Sequence, residues 1–146
     1  MSRDPKKMRV FHDADALVFE VYDITKHMPS EERFGLQSQI RRATVSVPTN
    51  LVEGCSRREN EFKHYLRIAS GSASEARYLI GLAHRLQFLG SSTRSGDLHD
   101  DKTVQALDAV FGSVLRQLEA LIRYLNEGGG EGTIFEESTR EQDPWP

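Results

Sequence analysis

Apolar side chains recur at steps of three and four residues along four segments of this chain, and this spacing constrains the fold more than any other feature. An α-helix turns once every 3.6 residues, so each segment lines one helical face with apolar side chains. The predicted helices span approximately residues 12–28, 31–53, 57–89 and 103–127. No segment has the two-residue alternation of a β-strand. The sequence therefore predicts an all-α protein, an antiparallel up-down-up-down four-helix bundle.

Length and composition set the limits of this bundle. The chain has 146 residues, enough for one domain with its own hydrophobic core. We predict an N-terminal arm at 1–11, the bundle at 12–127, and a disordered, glycine-rich and acidic C-terminal tail at 128–146. The chain has one cysteine, no recognisable signal peptide and no long apolar run, so we expect a cytoplasmic protein that does not enter membranes.

Pro48 lies inside the second predicted helix, where a proline removes one backbone hydrogen bond and usually bends the axis. The apolar stripe nevertheless continues past it at helical steps, through Leu36, Ile40, Ala43, Val47 and Leu51. We therefore predict a kinked but continuous helix, in which the hydroxyl of Thr44 or Ser46 bonds to the backbone group that Pro48 frees. Gly54 is expected to end this helix in a left-handed conformation.

The third predicted helix carries two local signals. Ser56 and Glu59 have the S-x-x-E spacing of a capping box, which predicts the N-terminal end of the helix. The middle of the helix, residues 69–76, consists almost entirely of small side chains. Small residues allow a neighbouring helix to come close, or they leave room for large side chains opposite.

The sequence contains no clear catalytic or metal-binding group. Glu61 and His64 have the Glu-x-x-His spacing of di-iron bundles, but such sites need a second motif and two more glutamates. Phe62 is expected to face the core, which leaves Glu61 and His64 facing water. Cys55 lies near arginines that can activate a thiol, but without a nearby histidine we expect an unreactive cysteine. We predict a non-enzymatic protein without a metal or cofactor.

A stripe of polar side chains follows the second predicted helix about 100° away from its apolar stripe. Its members recur at steps of three and four: Gln39, Arg42, Ser46, Asn50 and Glu53. We expect a structural hydrogen-bond network between this stripe and Ser72 and Glu75 of the third helix. Arg42 and Glu53 are a potential ion pair within it. An ordinary exposed flank and a ligand site are the alternatives.

Charge is distributed unevenly along the chain. Residues 33–85 contain nine basic and four acidic side chains, whereas residues 126–146 contain six acidic side chains and one arginine. We expect the ends of the second and third helices to bring several basic groups together, where they can bind the phosphates of RNA or DNA. The predicted nucleic-acid-binding residues are Arg33, Arg41, Arg42, Arg57, Arg58, Lys63 and Arg67. The alternative is that they pair with Glu53, Glu59 and Glu61.

Several runs of residues resemble a known family. They are ERFGLQSQIRRA at 32–43, SVPTNLVEG at 46–54 and YLRIA at 65–69, followed by Gly71, Ser72 and Glu75. Together they resemble the four-helix-bundle proteins first noted in intervening sequences of bacterial 23S rRNA genes, and the resemblance extends from about Val10 to Tyr124. It implies one bundle that assembles into a ring, often of five subunits. The family includes the accessory protein of diversity-generating retroelements, whose implied partners are nucleic acid and a reverse transcriptase.

Residues and resemblance together favour a non-enzymatic, homo-oligomeric helical-bundle module that binds RNA or DNA through an arginine-rich surface. The alternative is a protein-interaction scaffold or accessory subunit that binds no nucleic acid. In that case the polar stripe and the small residues of the third helix would serve contacts between subunits.

Overall fold

The structure is a computed structural model that describes residues 3–89, 99–130 and 132–135. Its helices are α1 (Arg9–Ile24), α2 (Leu36–Cys55), α3 (Glu59–Arg85), α4 (His99–Asn126) and the short α5 (Gly132–Phe135). Two 3-10 turns, Pro5–Lys7 and Ser30–Glu32, precede α1 and α2. The described residues contain no strand. The predicted all-α fold is confirmed, since α1 to α4 form a four-helix bundle.

Side-chain contacts show that α1 and α2 run in opposite directions. Arg41, near the start of α2, donates a hydrogen bond of 3.2 Å to the backbone carbonyl of Tyr22, near the end of α1. At the other end of α2, the thiol of Cys55 lies 3.8 Å from the sulfur of Met8, the residue before α1. The two helices are therefore antiparallel.

Helix α4 closes the bundle by packing on both α3 and α1. Arg77, in the second half of α3, binds Asp108, in the first half of α4, through two hydrogen bonds of 2.7 and 2.8 Å. Gln117, further along α4, donates to the carboxylate of Asp13 near the start of α1 at 2.8 Å. These contacts produce the up-down-up-down arrangement in which each helix packs on two neighbours.

The middle of α3 lies in the centre of the protein. Ala69, Ala73 and Ala76 have no exposed surface at all. They belong to one hydrophobic cluster with residues from the other three long helices, among them Leu17, Ile40 and Phe111. The apolar stripes of the four helices therefore face one shared core.

Helix α2 approaches α3 very closely at Gly54. A Cβ atom on Gly54 would lie 2.9 Å from the Cβ of Tyr65 and 3.1 Å from a ring carbon of Phe62. Gly54 is buried inside α2, and its φ is not positive. The prediction that Gly54 ends α2 in a left-handed conformation is therefore wrong. A glycine is needed here because a larger residue would push the two helices apart.

The turn between α2 and α3 is capped differently from the prediction. The hydroxyl of Ser56 donates to the carbonyl of Glu53 at 2.7 Å, so Ser56 closes α2 instead of starting α3. Arg58 is the N-cap residue of α3, and its backbone N–H donates to the carboxylate of Glu61 at 3.3 Å. The predicted capping box of Ser56 and Glu59 is wrong because α3 begins two residues later than the motif indicates.

Pro48 does not interrupt α2. The helix runs unbroken from Leu36 to Cys55, as predicted. Pro48 has no N–H, so the backbone carbonyl of Thr44, four residues earlier, loses its helical donor. The prediction that the hydroxyl of Thr44 or Ser46 bonds to this group is wrong, because both hydroxyls bond elsewhere. The hydroxyl of Thr44 donates to the carbonyl of Ile40 at 2.8 Å, and that of Ser46 bonds to Ser72 at 2.9 Å.

The connection between α1 and α2 is longer than predicted. Helix α1 ends at Ile24, where the buried hydroxyl of Thr25 donates to the carbonyl of Val21 at 2.7 Å. Helix α2 begins at Leu36, whose backbone N–H donates to the carboxylate of Glu32 at 3.0 Å. The sequence missed this loop because its apolar residues, such as Met28, continue the helical spacing.

Both predicted ends of the bundle need correction. The arm at 1–11 is shorter than predicted, because Met8, Val10 and Phe11 are buried and α1 begins at Arg9. At the other end, α5 falls inside the tail that was predicted to be disordered, and the Phe135 ring lies 6.3 Å from that of Phe62. Residues 131 and 136–146 of the predicted tail and most of the predicted loop at 90–102 lie outside the described residues.

Substitution of two glycines tests the close packing of α2 on α3. We expect Gly54→Ala to destabilise the protein by about 1–3 kcal/mol, because its Cβ has no room beside Tyr65 and Phe62. Gly71→Ala is the matched control, since nothing lies within 4 Å of its added Cβ, and it should stabilise α3 by about 0.5–1 kcal/mol. Urea unfolding measures both, and equal effects of the two substitutions would contradict the packing argument.

Candidate nucleic-acid interface

The seven predicted nucleic-acid-binding residues do not share one surface. Arg41 and Cys55, the last residue of α2, are 14 residues apart, which corresponds to about 21 Å along the helix axis. Arg57 and Arg58 lie at the turn between α2 and α3, close to the start of α1. Arg33, Arg41 and Arg42 lie towards the opposite end of the bundle. The prediction of a common surface is wrong because the length of the continuous α2 separates the arginines near its start from those that follow its end.

Arg57 is held by contacts within the protein. Its guanidinium forms an ion pair with Glu53 one helical turn earlier, with Nε 3.1 Å from the carboxylate, and lies 5.9 Å from the ring of Tyr65. The hydrogen bond to Glu53 is the main cause that raises the pKa of Arg57 above its usual value. A phosphate would therefore compete with Glu53 for this guanidinium.

The N-terminal segment adds cations to the same place. Arg3 donates a hydrogen bond to the backbone carbonyl of Arg57, and its guanidinium lies 4.8 Å from the ring of Phe62. Asp4 caps the turn that follows by accepting from the backbone N–H of Lys6 at 3.0 Å. We call this region, with Arg3, Lys6, Lys7, Arg57 and Arg58, the basic end.

Sequence reasoning missed the contribution of the N-terminal segment because a short charged stretch is typical of an unstructured arm. One signal could have revealed it. An aspartate directly before a proline, as in Asp4 and Pro5, is typical of the first turn of a helix, and an apolar residue follows at Met8.

Arg58 precedes α3 as its N-cap residue, and on the helix Lys63 is half-buried and Arg67 is exposed. Arg58 is exposed next to Arg57, and Lys63 and Arg67 are one helical turn apart. At 100° per residue, Lys63 and Arg67 lie on the side of α3 that carries Arg77, which contacts α4. Within residues 3–89, 99–130 and 132–135, no ion pair engages Arg58, Lys63 or Arg67. The predicted pairing with Glu59 and Glu61 is therefore not formed there.

The guanidinium groups of Arg77 on α3 and Arg116 on α4 lie close together. A Cβ on Gly112 would lie 3.3 Å from a guanidinium nitrogen of Arg116 and 3.5 Å from one of Arg77. Both groups therefore lie over the same glycine, next to Asp108. No pattern along the chain indicates this pairing, since the two arginines are on different helices.

The three arginines at the opposite end have separate environments. Arg41 donates from Nε to the hydroxyl of Thr25 at 2.9 Å, and its guanidinium lies 4.4 Å from the ring of Tyr22. It thereby covers the C-terminal end of α1, where a cation is favourable. Arg33 is exposed and lies 5.4 Å from the ring of Phe34, whereas Arg42 is exposed beside a polar groove between α2 and α3.

The polar stripe of α2 forms hydrogen bonds with α3 at the predicted residues. Ser46 and Ser72 bond at 2.9 Å, and the Asn50 amide donates to both the hydroxyl and the carbonyl of Ser46, at 2.9 and 2.7 Å. Gln39 lies at the limit of a hydrogen bond with Glu75, at 3.5 Å. The half-buried Ser46–Ser72 bond and the exposed Gln39–Glu75 contact both link α2 to α3, which fits the network interpretation of the stripe.

Glu53 does not take part in this network. Its carboxylate binds Arg57 on the same helix, so the potential ion pair between Arg42 and Glu53 is not formed. The pair fails because the two residues are 11 apart, which places them about 16 Å apart along α2, beyond the reach of their side chains.

The residues considered for chemistry differ in their exposure. Glu61 and His64 are both exposed, and His64 contacts the edge of the Tyr65 ring at 5.8 Å between ring centres. Cys55 is buried at the end of α2 against Met8. Among the described residues, no three His, Cys, Asp or Glu side chains are close enough to hold a metal ion. None of the described helices is both long and apolar enough to cross a lipid bilayer.

The bidentate ion pair of Arg77 and Asp108 should make stability depend on pH. The hydrogen bonds from Arg77 lower the pKa of Asp108 below its usual value of 3.8, so the stabilisation is complete above that value and is lost as the pH falls through the lower one. Both side chains are partly exposed, so we expect Asp108→Asn to cost less than about 1 kcal/mol at pH 7.

Unfolding in urea between pH 7 and pH 2 measures this effect. The difference between wild type and Asp108→Asn should shrink at acidic pH, because protonation removes the charge that the substitution removes. Asp15→Asn is the control, since Asp15 has no ion pair among the described residues. A difference that stays constant down to pH 2 would contradict the assignment.

Comparison with known families bears on this site. The sequence profile of the family described as 23S rRNA-intervening sequence protein matches residues 6–103, about two thirds of the chain. The match includes α1, α2, α3 and the first residues of α4, and it contains all seven predicted basic residues. Most of α4 and all of α5 lie outside it. No curated protein matches the chain.

Proposed function

Because this chain belongs to the 23S rRNA-intervening sequence protein family, we propose that it is a non-enzymatic, oligomeric module that binds RNA or DNA through the basic end. The observation that carries this proposal is the contact between the N-terminal segment and the α2–α3 turn. Arg3 reaches the carbonyl of Arg57, and this contact gathers five cations at one end of the bundle. Contacts between such groups and phosphates are independent of base sequence.

Four carboxylates surround these cations, which limits the strength of the interaction. They are Asp4, Glu53, Glu59 and Glu61. Glu53 is held by Arg57, and Glu61 by the backbone of Arg58. Because the positive excess is small, we expect weak binding of the nonspecific class, with dissociation constants of about 10⁻⁴ to 10⁻⁶ M at physiological salt.

Assembly would strengthen such binding. The family resemblance implies a ring, and a ring repeats the basic end around its symmetry axis. Several weak contacts on one nucleic acid then act together, and their combined affinity exceeds that of each contact. Light scattering on the full-length protein measures the number of subunits.

Arg58→Gln tests the basic end. We expect it to weaken binding of a labelled RNA to a similar extent for different base sequences, and to reduce the dependence of binding on salt by about one phosphate contact. Arg58 is the best choice because it is exposed and has no ion pair among the described residues. Arg85→Gln, at the opposite end of α3, is the control that changes the net charge equally. Fluorescence anisotropy at 50 and 200 mM salt provides the measurement.

Equal effects of Arg58→Gln and Arg85→Gln would reject the basic end as the binding surface. Absence of any binding at 50 mM salt would reject nucleic-acid binding itself. A protein partner that remains bound in a nuclease-treated lysate would then favour the alternative function, a protein-interaction scaffold.

The acidic tail should weaken nucleic-acid binding. The chain leaves α5 next to the basic end, because Phe135 packs on the same Phe62 ring that Arg3 covers. Residues 131–146 carry five acidic side chains and one arginine. A chain that ends at Gly130 should therefore bind RNA several-fold more tightly at 50 mM salt, and the gain should disappear at high salt.

A full-length variant in which Glu136, Glu137 and Glu141 are changed to Gln is the control for this deletion. It removes negative charge but keeps α5 and its contact with Phe62. We expect it to reproduce most of the gain in affinity. If only the deletion strengthens binding, the effect comes from the loss of α5 and not from charge.

A further inference from the structure

A cleft of about 850 Å³ lies between the C-terminal half of α1 and the start of α2, at the opposite end from the basic end. The loop between these helices forms one of its walls through Met28 and Pro29. Its volume lies within the range of pockets that hold small molecules or single nucleotides. None of the residues that line the cleft belongs to the basic end.

Two aromatic side chains of α1 line this cleft. Phe19 and Tyr22 are three residues apart, so they lie on the same face of the helix. Phe19 is 72% exposed and Tyr22 is 43% exposed. Exposed aromatic rings on one helical face, inside a cleft, provide flat apolar surfaces for another aromatic group.

Three cations line the same cleft: Lys26, Arg33 and Arg41. The only carboxylate among its lining residues is Asp23, which lies 3.9 Å from the ammonium of Lys26. The cleft therefore has an excess of positive charge and favours an anion. Arg41 is held in place by Thr25 and by the carbonyl of Tyr22, so one of the three cations is fixed before any ligand arrives.

We propose that this cleft binds an unpaired nucleotide of a single-stranded RNA or DNA. The base stacks on Phe19, beside the Tyr22 ring that the guanidinium of Arg41 already covers at 4.4 Å. The adjacent phosphate contacts Arg33 and Lys26. Every base has an aromatic face, so such stacking tolerates different base sequences. A base within a duplex is already stacked on both sides and cannot enter. An acidic peptide would satisfy the cations but would leave the exposed rings without a matching flat surface.

This proposal rests on nucleic-acid binding as the proposed function and specifies its form as single-stranded. It does not depend on the basic end. About 21 Å of α2 lies between Arg41 and Cys55, the residue at which the helix ends beside the basic end. A stacked strand rises about 3.4 Å per nucleotide, so about six nucleotides are needed to span this length of α2. Strands longer than this should bind more tightly than shorter ones.

Anisotropy with a labelled 12-nucleotide oligo(U) and a labelled 12-base-pair RNA duplex tests the proposal on the full-length protein. Phe19→Ala should weaken binding of oligo(U) by about 5- to 100-fold and leave duplex binding unchanged. Tyr78→Ala is the matched control, because Tyr78 on α3 is 61% exposed but does not line this cleft. Arg33→Gln should weaken oligo(U) binding and reduce its dependence on salt.

Each result separates the cleft from the basic end. Weaker oligo(U) binding by Phe19→Ala, with no effect of Arg58→Gln, supports the cleft and rejects the basic end. Weaker oligo(U) binding by Arg58→Gln, with no effect of Phe19→Ala, overturns the cleft and keeps the basic end. If Phe19→Ala instead changes the number of subunits in light scattering and leaves oligo(U) binding intact, the cleft is an interface between copies and the proposal is overturned. If the wild type fails to bind oligo(U) at 50 mM salt but binds the duplex, the cleft is overturned and the basic end is kept. Failure to bind either RNA overturns both.

Discussion

The close contact between α2 and α3 is the constraint on which the rest of the structure depends. It exists because the facing positions are small: Gly54 on α2 has no room for a Cβ beside Tyr65, and the alanines of α3 have no exposed surface. At this separation the hydroxyls of Ser46 and Ser72 can bond directly. The half-buried polar stripe is therefore satisfied between the helices, where unpaired groups would cost free energy.

This contact also determines where charge can appear. Because α2 and α3 are joined by a short turn and packed along their length, Arg57 and Arg58 are held at one end of the bundle. The N-terminal segment crosses the same end, since Met8 packs against Cys55 and Arg3 reaches Arg57. About 21 Å of unbroken α2 separates Arg41, at the C-terminal end of α1, from Cys55 at the basic end. The cationic region around Arg41 also has the exposed aromatic rings of Phe19 and Tyr22.

Most of the fold could be predicted, but less of the site. Periodicity located the four long helices, since the apolar stripe that the core requires is visible in the sequence. Helix ends were less accurate. Ser56 closes one helix where the spacing to Glu59 indicated the start of the next, because the choice between the two depends on backbone geometry. The burial of Met8, Val10 and Phe11 was missed, because the charged residues around them obscure a short apolar pattern.

The sequence by itself determined that the chain is all-α and that α2 passes through Pro48, and it favoured contact between the polar stripe of α2 and Ser72, which the structure then showed. The all-α fold and the continuity of α2 follow from the spacing of apolar residues along single helices, and this spacing is local in the sequence. Only the tertiary structure decided which cations lie together. Arg3 joins Arg57 across more than fifty residues, and Arg116 joins Arg77 from another helix. Such pairings depend on packing register and helix direction, and a one-dimensional pattern of charges does not contain either.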